Sequence, residues 1–258
     1  MRFAFTDEQE QLRREARAVL EGREPSWDEL AELGWLGVSV PEERGGAGLT
    51  FVEEAILLEE LGRALQAEPY FESVTLALPA LPAEEQAEVA SGKRQVPLNG
   101  RPPRLDDERV RARAFAGLAA EAVGIAQSAL DLTVEFAKSR EQFGRKIGVY
   151  QAVSHPLADT YRETELARSL AYWAAWCVAE DDGGAGIAAA SAKAFASETA
   201  VTSCERAIQL HGGIGFTWEH PLHRYYKRAQ WIESFGGFPA AQRAEVARFL
   251  LDQELGSS

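Results

Sequence analysis

The sequence predicts an all-α protein. Three long helical periodicities fill residues 106–210, strand-like alternation is nearly absent, and five prolines crowd the single interval 79–105. The spacing of these features suggests two helical regions: 1–81 at the N-terminus and 106–258 at the C-terminus, joined by a linker over 82–105.

The first helix is announced at Thr6. Thr6 stands at a capping position with Gln9 three residues later, and Phe5 is placed for a hydrophobic staple. Leu12, Ala16, Val19 and Leu20 follow at helical spacing. Pro25-Ser26 restarts the chain, and Leu30, Leu33 and Trp35 define a second short helix. The glycine-rich segment 41-PEERGGAGLT-50 is a loop whose Thr50 caps a helix over 51–65. One short helical patch around Glu84–Ala90 lies in the linker, and 95-QVPLN-99 is the one strand candidate, weakened by its proline.

The long helices are expected from about Asp106 to Ser139, from Tyr150 to Glu180, and from Ile187 to Leu210. Gly212-Gly213 stops the third. A final helix is expected over 240–251. Packed side by side, the helices of 106–210 make an antiparallel bundle.

Composition narrows the function. The chain has 258 residues, 46% of them hydrophobic, so it can bury a sizeable core. Its net charge is −13. A nucleic-acid binder needs a basic surface to displace counterions, which sets that class aside. Any anionic ligand has to be met by a local cluster of cations. No apolar run reaches the roughly 18 residues of a membrane span, and the early acidic residues Asp7, Glu8 and Glu10 are unlike a signal peptide. The chain reads as soluble and cytoplasmic.

Several motifs reduce to structure. Cys177 and Cys204 match no zinc or redox spacing and read as small buried apolar residues. The glycine clusters 45-GGAG-48 and 212-GGIG-215 open no βαβ unit, so a dinucleotide loop fails on context. His220 and His223 are three apart, as on one helix face, but no cysteine or acidic pair completes a metal site. Trp173 and Trp176 read as core or helix-interface residues. The segment 139-SREQFGRKIG-148 carries more information. It gathers Arg140, Arg145 and Lys146 beside an aromatic at a helix end. Read alone, it is either a solvated helix end, the commoner case, or a phosphate site, since guanidinium binds phosphate oxygens bidentately.

Three stretches then fit one pattern in order: 34-GWLGVSVPEERGGAGLTFVEEAILLEELGR-63, 122-AVGIAQSALDLTVEFAKSREQFGRKIGVYQAVSHPLADTY-161 and 208-IQLHGGIGFTWEHPLHRYYKRA-229. The chain resembles the acyl-CoA dehydrogenase family. The resemblance covers both helical regions and skips the middle. Family members hold a β-domain there that cradles the flavin ring, and the roughly 25 residues between Leu81 and Leu105 are too few and too proline-rich to build it.

The resemblance also implies chemistry. The family removes the α-proton of an acyl thioester with a glutamate while hydride leaves to FAD. The two positions known for that glutamate match Gly236, in 233-ESFGGFPAAQR-243, and Ala114. Neither residue carries a proton. Glu233 and Glu121 are near these places but offset from them. FAD in this family lies across a subunit interface. The residues that hold its adenosine diphosphate half from the neighbouring chain match Arg140, Gln142, Phe143, Gln209, Gly212 and Gly213. Those that would hold this chain's own flavin have become Phe238 and Ala240.

The implied role is a subunit without catalytic residues in a heteromeric, FAD-dependent acyl-CoA dehydrogenase. Its partner would be a larger catalytic subunit, in a heterotetramer of the kind found in bacteria that shorten steroid side chains. Two other readings compete: a flavin-free helical scaffold or regulatory homodimer, and an autonomous enzyme using Glu233.

Overall fold

Thr6 N–H donates to Gln9 Oε1 at 3.0 Å, and Gln9 N–H returns a bond to Thr6 Oγ1 at 3.2 Å. This reciprocal cap starts α1 (Asp7–Leu20) as the sequence predicts. The staple position opposite Phe5, four residues into α1, is Glu10 rather than an apolar residue. The Phe5 ring meets Tyr172 edge-on at 4.7 Å and lies under the Arg13 guanidinium of α1 at 4.3 Å, so it ties the N-terminus both to its own helix and to a distant one. The computed structural model describes residues 4–66, 68–98 and 105–255.

Ser26 caps α2 (Trp27–Glu32) through a second capping box with Glu29. Trp35 is excluded from that helix. Gly34, at φ 74°, turns the chain, and Trp35–Gly37 form a separate 3-10 turn. Thr50 then caps α3 (Phe51–Ala64). Phe71–Ala77 form a π-helical turn that the periodicity does not foretell. In the expected linker, α4 (Ala83–Ala90) is folded down: Val89 is fully buried, and Trp27 Nε1–H donates to the Gly92 carbonyl at 2.9 Å. Residues 95–98 form no strand, and Asn99 lies outside the described residues.

The C-terminal region is built on α5 (Glu108–Ser139), α6 (Gln151–Ala179) and α7 (Ala185–His211). Alanine dominates the buried faces of α5 and α7, from Ala112 to Ala129 and from Ala188 to Ala207. Small side chains let helix axes approach closely. By length and composition α5 could cross a membrane, but 83% of its apolar window is buried in the protein, so it is a core helix. After the bundle come α8 (Leu222–Ser234), which the periodicity did not single out, and α9 (Pro239–Leu255). The only strands among the described residues are β1 (Glu141–Gln142) and β2 (Arg145–Lys146), an antiparallel hairpin between α5 and α6. The fold is all-α, with no β-domain among the described residues.

Two glycines set how the N-terminal region docks on the bundle. A Cβ on Gly124 of α5 would lie 1.9 Å from the Glu59 carbonyl oxygen of α3, and one on Gly62 of α3 would lie 2.3 Å from the Glu121 carbonyl. The two backbones touch, and only glycine fits. Buried glutamates of α3 add charge pairing. Glu59 binds Arg168 at 3.0 Å and accepts from the Tyr172 hydroxyl at 2.7 Å. Glu60 takes Arg17 at 2.6 Å, and Glu54 pairs with Arg113. Each carboxylate is paired from another element, as burial of a charge requires, although Glu54 Oε1 keeps no hydrogen-bond partner.

Candidate functional site

The residues of the SREQFG segment sit where α5 ends. Arg140 is the C-terminal cap of α5. Its N–H donates to the Phe136 carbonyl at 2.8 Å, and its own carbonyl accepts from Ile147 N–H at 2.9 Å. The backbone is clamped on both sides and the side chain is left exposed. Phe143 and Gly144 form the turn of the hairpin with φ of 53° and 75°. Two positive φ values suit a tight hairpin, but Phe143 has a Cβ and pays a conformational cost to be there. Its ring is 93% exposed. A strained, fully exposed aromatic points to a contact outside the chain.

Lys146 ties the hairpin back, with Nζ 3.0 Å from the Ser139 carbonyl and 2.8 Å from Glu141. The Tyr150 hydroxyl donates to the Gln142 carbonyl at 3.1 Å. Arg140 and Arg145 are not tied. Among the described arginines, only these two and Arg14 have guanidinium groups with no polar or aromatic partner among the described residues. In a protein this acidic, two free guanidiniums, one at the end of α5 and one on the hairpin that follows, are the kind of local cations an anionic ligand needs.

The second group of residues closes α7. Gly212 caps it at φ 62°, the glycine stop expected from the sequence. Gln209, Gly212 and Gly213 are exposed, and a Cβ at either glycine would meet nothing within 4 Å. The ring of Phe136, one turn before Arg140, stacks on His211 with centroids 4.3 Å apart and planes at 22°. The ends of α5 and α7 therefore meet, and all six residues lie at one end of the bundle. Ile214, Phe216 and Trp218 extend the exposed surface from the 3-10 turn Gly212–Phe216, Phe216 at 76% and Trp218 at 78% exposure. Sequence reasoning passed over these three; an apolar side chain in a glycine-rich turn was the available signal. A donor set of guanidinium and amide groups beside an open glycine turn fits the pyrophosphate of FAD.

The loop after α8 contrasts with this open end. Gly236 has φ 63°, and a Cβ there would lie 2.6 Å from Phe115 Cε1 and 3.0 Å from Leu105 Cδ1. Lys193 of α7 is completely buried, and its Nζ donates to the Glu233 carbonyl at 2.9 Å and to the Gly237 carbonyl at 2.6 Å. Burial lowers the Lys193 pKa to about 8, with the Glu233 carboxylate pulling it back up. Gln242 of α9 donates to the Gly236 and Gly237 carbonyls at 3.3 and 3.0 Å.

The carboxylates near Gly236 and Ala114, the places where the sequence leads one to look for a base, are differently engaged. Ala114 is fully buried in α5. Glu121 is gripped bidentately by Arg228 of α8, at 2.5 and 2.9 Å, and Arg228 stacks over Trp231 at 4.1 Å. Glu72 stands 3.9 Å from the same guanidinium, and burial pushes its carboxyl pKa up. Burial, then the Glu198 charge, also raises Glu233.

The remaining sequence candidates resolve simply. Both cysteines are buried and free, and burial pushes Cys204 up to about 12, as an inert thiol requires. His220 precedes α8, so it shares no helix face with His223. Its Nδ1 accepts from Leu222 N–H, and His223 Nδ1 donates to its carbonyl at 2.8 Å. Trp173 is 36% exposed and, with Trp176, Phe5 and Tyr172, lines a cleft of about 720 Å³ beside α1. It is thus a helix-interface residue rather than core.

Comparison with known proteins agrees with this anatomy. Residues 6–83 match the acyl-CoA dehydrogenase N-terminal domain and residues 111–251 the C-terminal domain. The chain is 34% identical to the acyl-CoA dehydrogenase IpdE2 of Mycobacterium tuberculosis over 80% of each chain, and 34% identical to that of Mycolicibacterium smegmatis over 88% and 89%. Among solved structures, a variant of the Tcur3481–Tcur3483 steroid ACAD superposes with a TM-score of 0.85 at 25% identity, covering 96% of this chain and 99% of that one. The ChsE4–ChsE5 complex of Mycobacterium tuberculosis shares the fold, with a TM-score of 0.83 at 24% identity over 97% and 99%.

Proposed function

The chain belongs to the acyl-CoA dehydrogenase family, and from that premise we propose that it is the non-catalytic subunit of a heteromeric, FAD-dependent member. In this reading the 82–105 segment replaces the β-domain. A larger acyl-CoA dehydrogenase subunit supplies that domain, the flavin ring and the base. This chain supplies the far wall of the cofactor site, and the complex works in the cytoplasm.

One contrast carries the proposal. The end of the bundle that faces outward keeps Arg140 and Arg145 free, an open Gly212-Gly213 turn and an exposed Phe143. The place for a base holds Gly236, with no room for a side chain. Arg140 would bind the pyrophosphate, Gln142 and Gln209 would donate amide hydrogen bonds, and Gly212 and Gly213 would let the backbone approach closely. Phe143 would cover the cofactor from the side of this chain. The flavin, when bound, accepts hydride during α,β-dehydrogenation of an acyl-CoA. The steroid ACAD relative supports a steroid-derived acyl group as the substrate class, carried on the partner.

The test is co-expression with the full-length acyl-CoA dehydrogenases of the same genome, beginning with the product of the adjacent gene. The reading expects one partner to co-purify with this chain in a yellow complex, while the chain alone is colourless. Stoichiometric FAD on the isolated chain, or a complex that forms without flavin, would contradict it.

A further inference from the structure

The loss of a carboxylate at 236 does not by itself close a site. A glycine leaves space, and a subunit that has lost its base could regain one by a single substitution. Here the space is taken. Backbone geometry at Gly236 directs a side chain toward Phe115, whose ring would be met at 2.6 Å by Cε1 and 3.0 Å by Cζ. Phe115 is only 2% exposed. Leu105 closes the same direction at 3.0 Å.

The loop cannot swing away cheaply. The carbonyls of Glu233, Gly236 and Gly237 are all occupied by buried donors, Lys193 Nζ and Gln242 Nε2. Opening it would strand an ammonium and an amide in the interior. Lys193 also stands 5.6 Å from the centre of the Phe115 ring, and Arg111 stands 5.9 Å from it. Behind the loop, Phe235 packs against Phe71 at 5.4 Å and Trp231 at 5.2 Å.

We infer that Phe115 is the residue that denies position 236 a carboxylate side chain, so that a base cannot be regained by a change at 236 alone, with Lys193 and Gln242 holding the loop down onto it. The inference rests on Gly236 marking the former base position. A base at 236 would have to run its side chain through the volume the Phe115 ring fills before its carboxylate could come within hydrogen-bond reach of a carbon acid.

The experiment is a thermal double-mutant cycle on the full chain: wild type, Gly236→Ala, Phe115→Ala and the double variant, each with and without saturating benzene. The positive φ penalises alanine at 236 in both backgrounds and cancels in the comparison. The contact with the ring does not cancel. Gly236→Ala is expected to lower the midpoint steeply in wild type and by less than half as much beside Phe115→Ala. Benzene should raise the midpoint of Phe115→Ala by several degrees and leave wild type unmoved, because an apolar cavity that size takes a ring. Equal losses in both backgrounds, no benzene shift in Phe115→Ala, or a benzene shift in wild type would each overturn the inference. Phe115→Leu, which opens part of the same volume, replaces Phe115→Ala if that variant does not fold. If neither folds, Gly236→Ala decides alone, and a midpoint close to wild type contradicts the inference. No flavin or partner enters these measurements, so their failure leaves the cofactor half-site untouched, and a flavin-free complex would leave Phe115 in place.

Discussion

Lys193 Nζ lies 2.6 Å from the Gly237 carbonyl oxygen, a charged side chain of α7 fastened to the backbone of the loop before α9. Burial lowers this lysine from an ordinary value of 10.5 to about 8. The sign of its effect on stability follows. Below about pH 8 both folded and unfolded chains hold the proton, and the desolvation penalty is felt in full. Between about pH 8 and about pH 10.5 the unfolded chain binds more protons, so stability rises with pH through that window. Lys193→Met removes this contribution. Urea denaturation at about pH 7.5 and about pH 9.5 should show wild type gaining on Lys193→Met as pH increases. A constant difference between the two proteins would mean that Lys193 does not titrate in this range.

Among the described residues, Arg228 is the single cation placed between Glu121 and Glu72. Arg228→Met would leave the buried Glu121 carboxylate and the largely buried Glu72 around an apolar side chain. Removing one partner of a buried pair costs about 3–5 kcal/mol. The loss should shrink when Glu121→Gln is added, since the amide needs no counter-charge. A single-variant loss under about 1 kcal/mol in denaturant titration, the range of a surface pair, would show the pair to be solvated.

Gly124 is where α5 touches α3. An alanine there would drive its Cβ to 1.9 Å from the Glu59 carbonyl, so the helices must separate. The expected cost of Gly124→Ala is about 3 kcal/mol. Gly183→Ala serves as the control. Its Cβ meets nothing within 4 Å and its φ is not positive, so it should stay within roughly 0.5 kcal/mol of wild type. Similar midpoints for the two variants would mean that α3 and α5 are not in backbone contact.

Much of the fold was legible because its signals are local. Thr6, Ser26 and Thr50 head capping boxes whose partners lie three residues on, and Gly212 ends α7 through its own φ. The bundle followed from periodicity alone. What escaped depends on distance in sequence. The hairpin strands are two residues each, too short for alternation to register. Phe5 found Tyr172, far along the chain, as well as Arg13 of its own helix, and α8 was masked by its mixed aromatic and basic residues. At the site, the resemblance named residues that the structure gathers at one end of the bundle. It did not foretell Phe115, Lys193 or Gln242, because each acts through a contact made from another helix. Nothing in ARAFAGL marks a plug until Gly236 is seen against it.

The most direct test of the central claim is the flavin content of the assembled complex carrying Arg140→Ala. Arg140 has an exposed guanidinium with no partner among the described residues, on a clamped backbone. A charge-assisted contact to a phosphate contributes roughly 1.5–3 kcal/mol, so FAD retention should weaken by about one to two orders of magnitude. Arg140→Lys should restore part of this, having the charge without the two-pronged geometry. Gel filtration should recover the Arg140→Ala complex intact and depleted of flavin. A complex that forms and keeps its full FAD at wild-type affinity would contradict the account, and Arg140 would then be a solvated helix end.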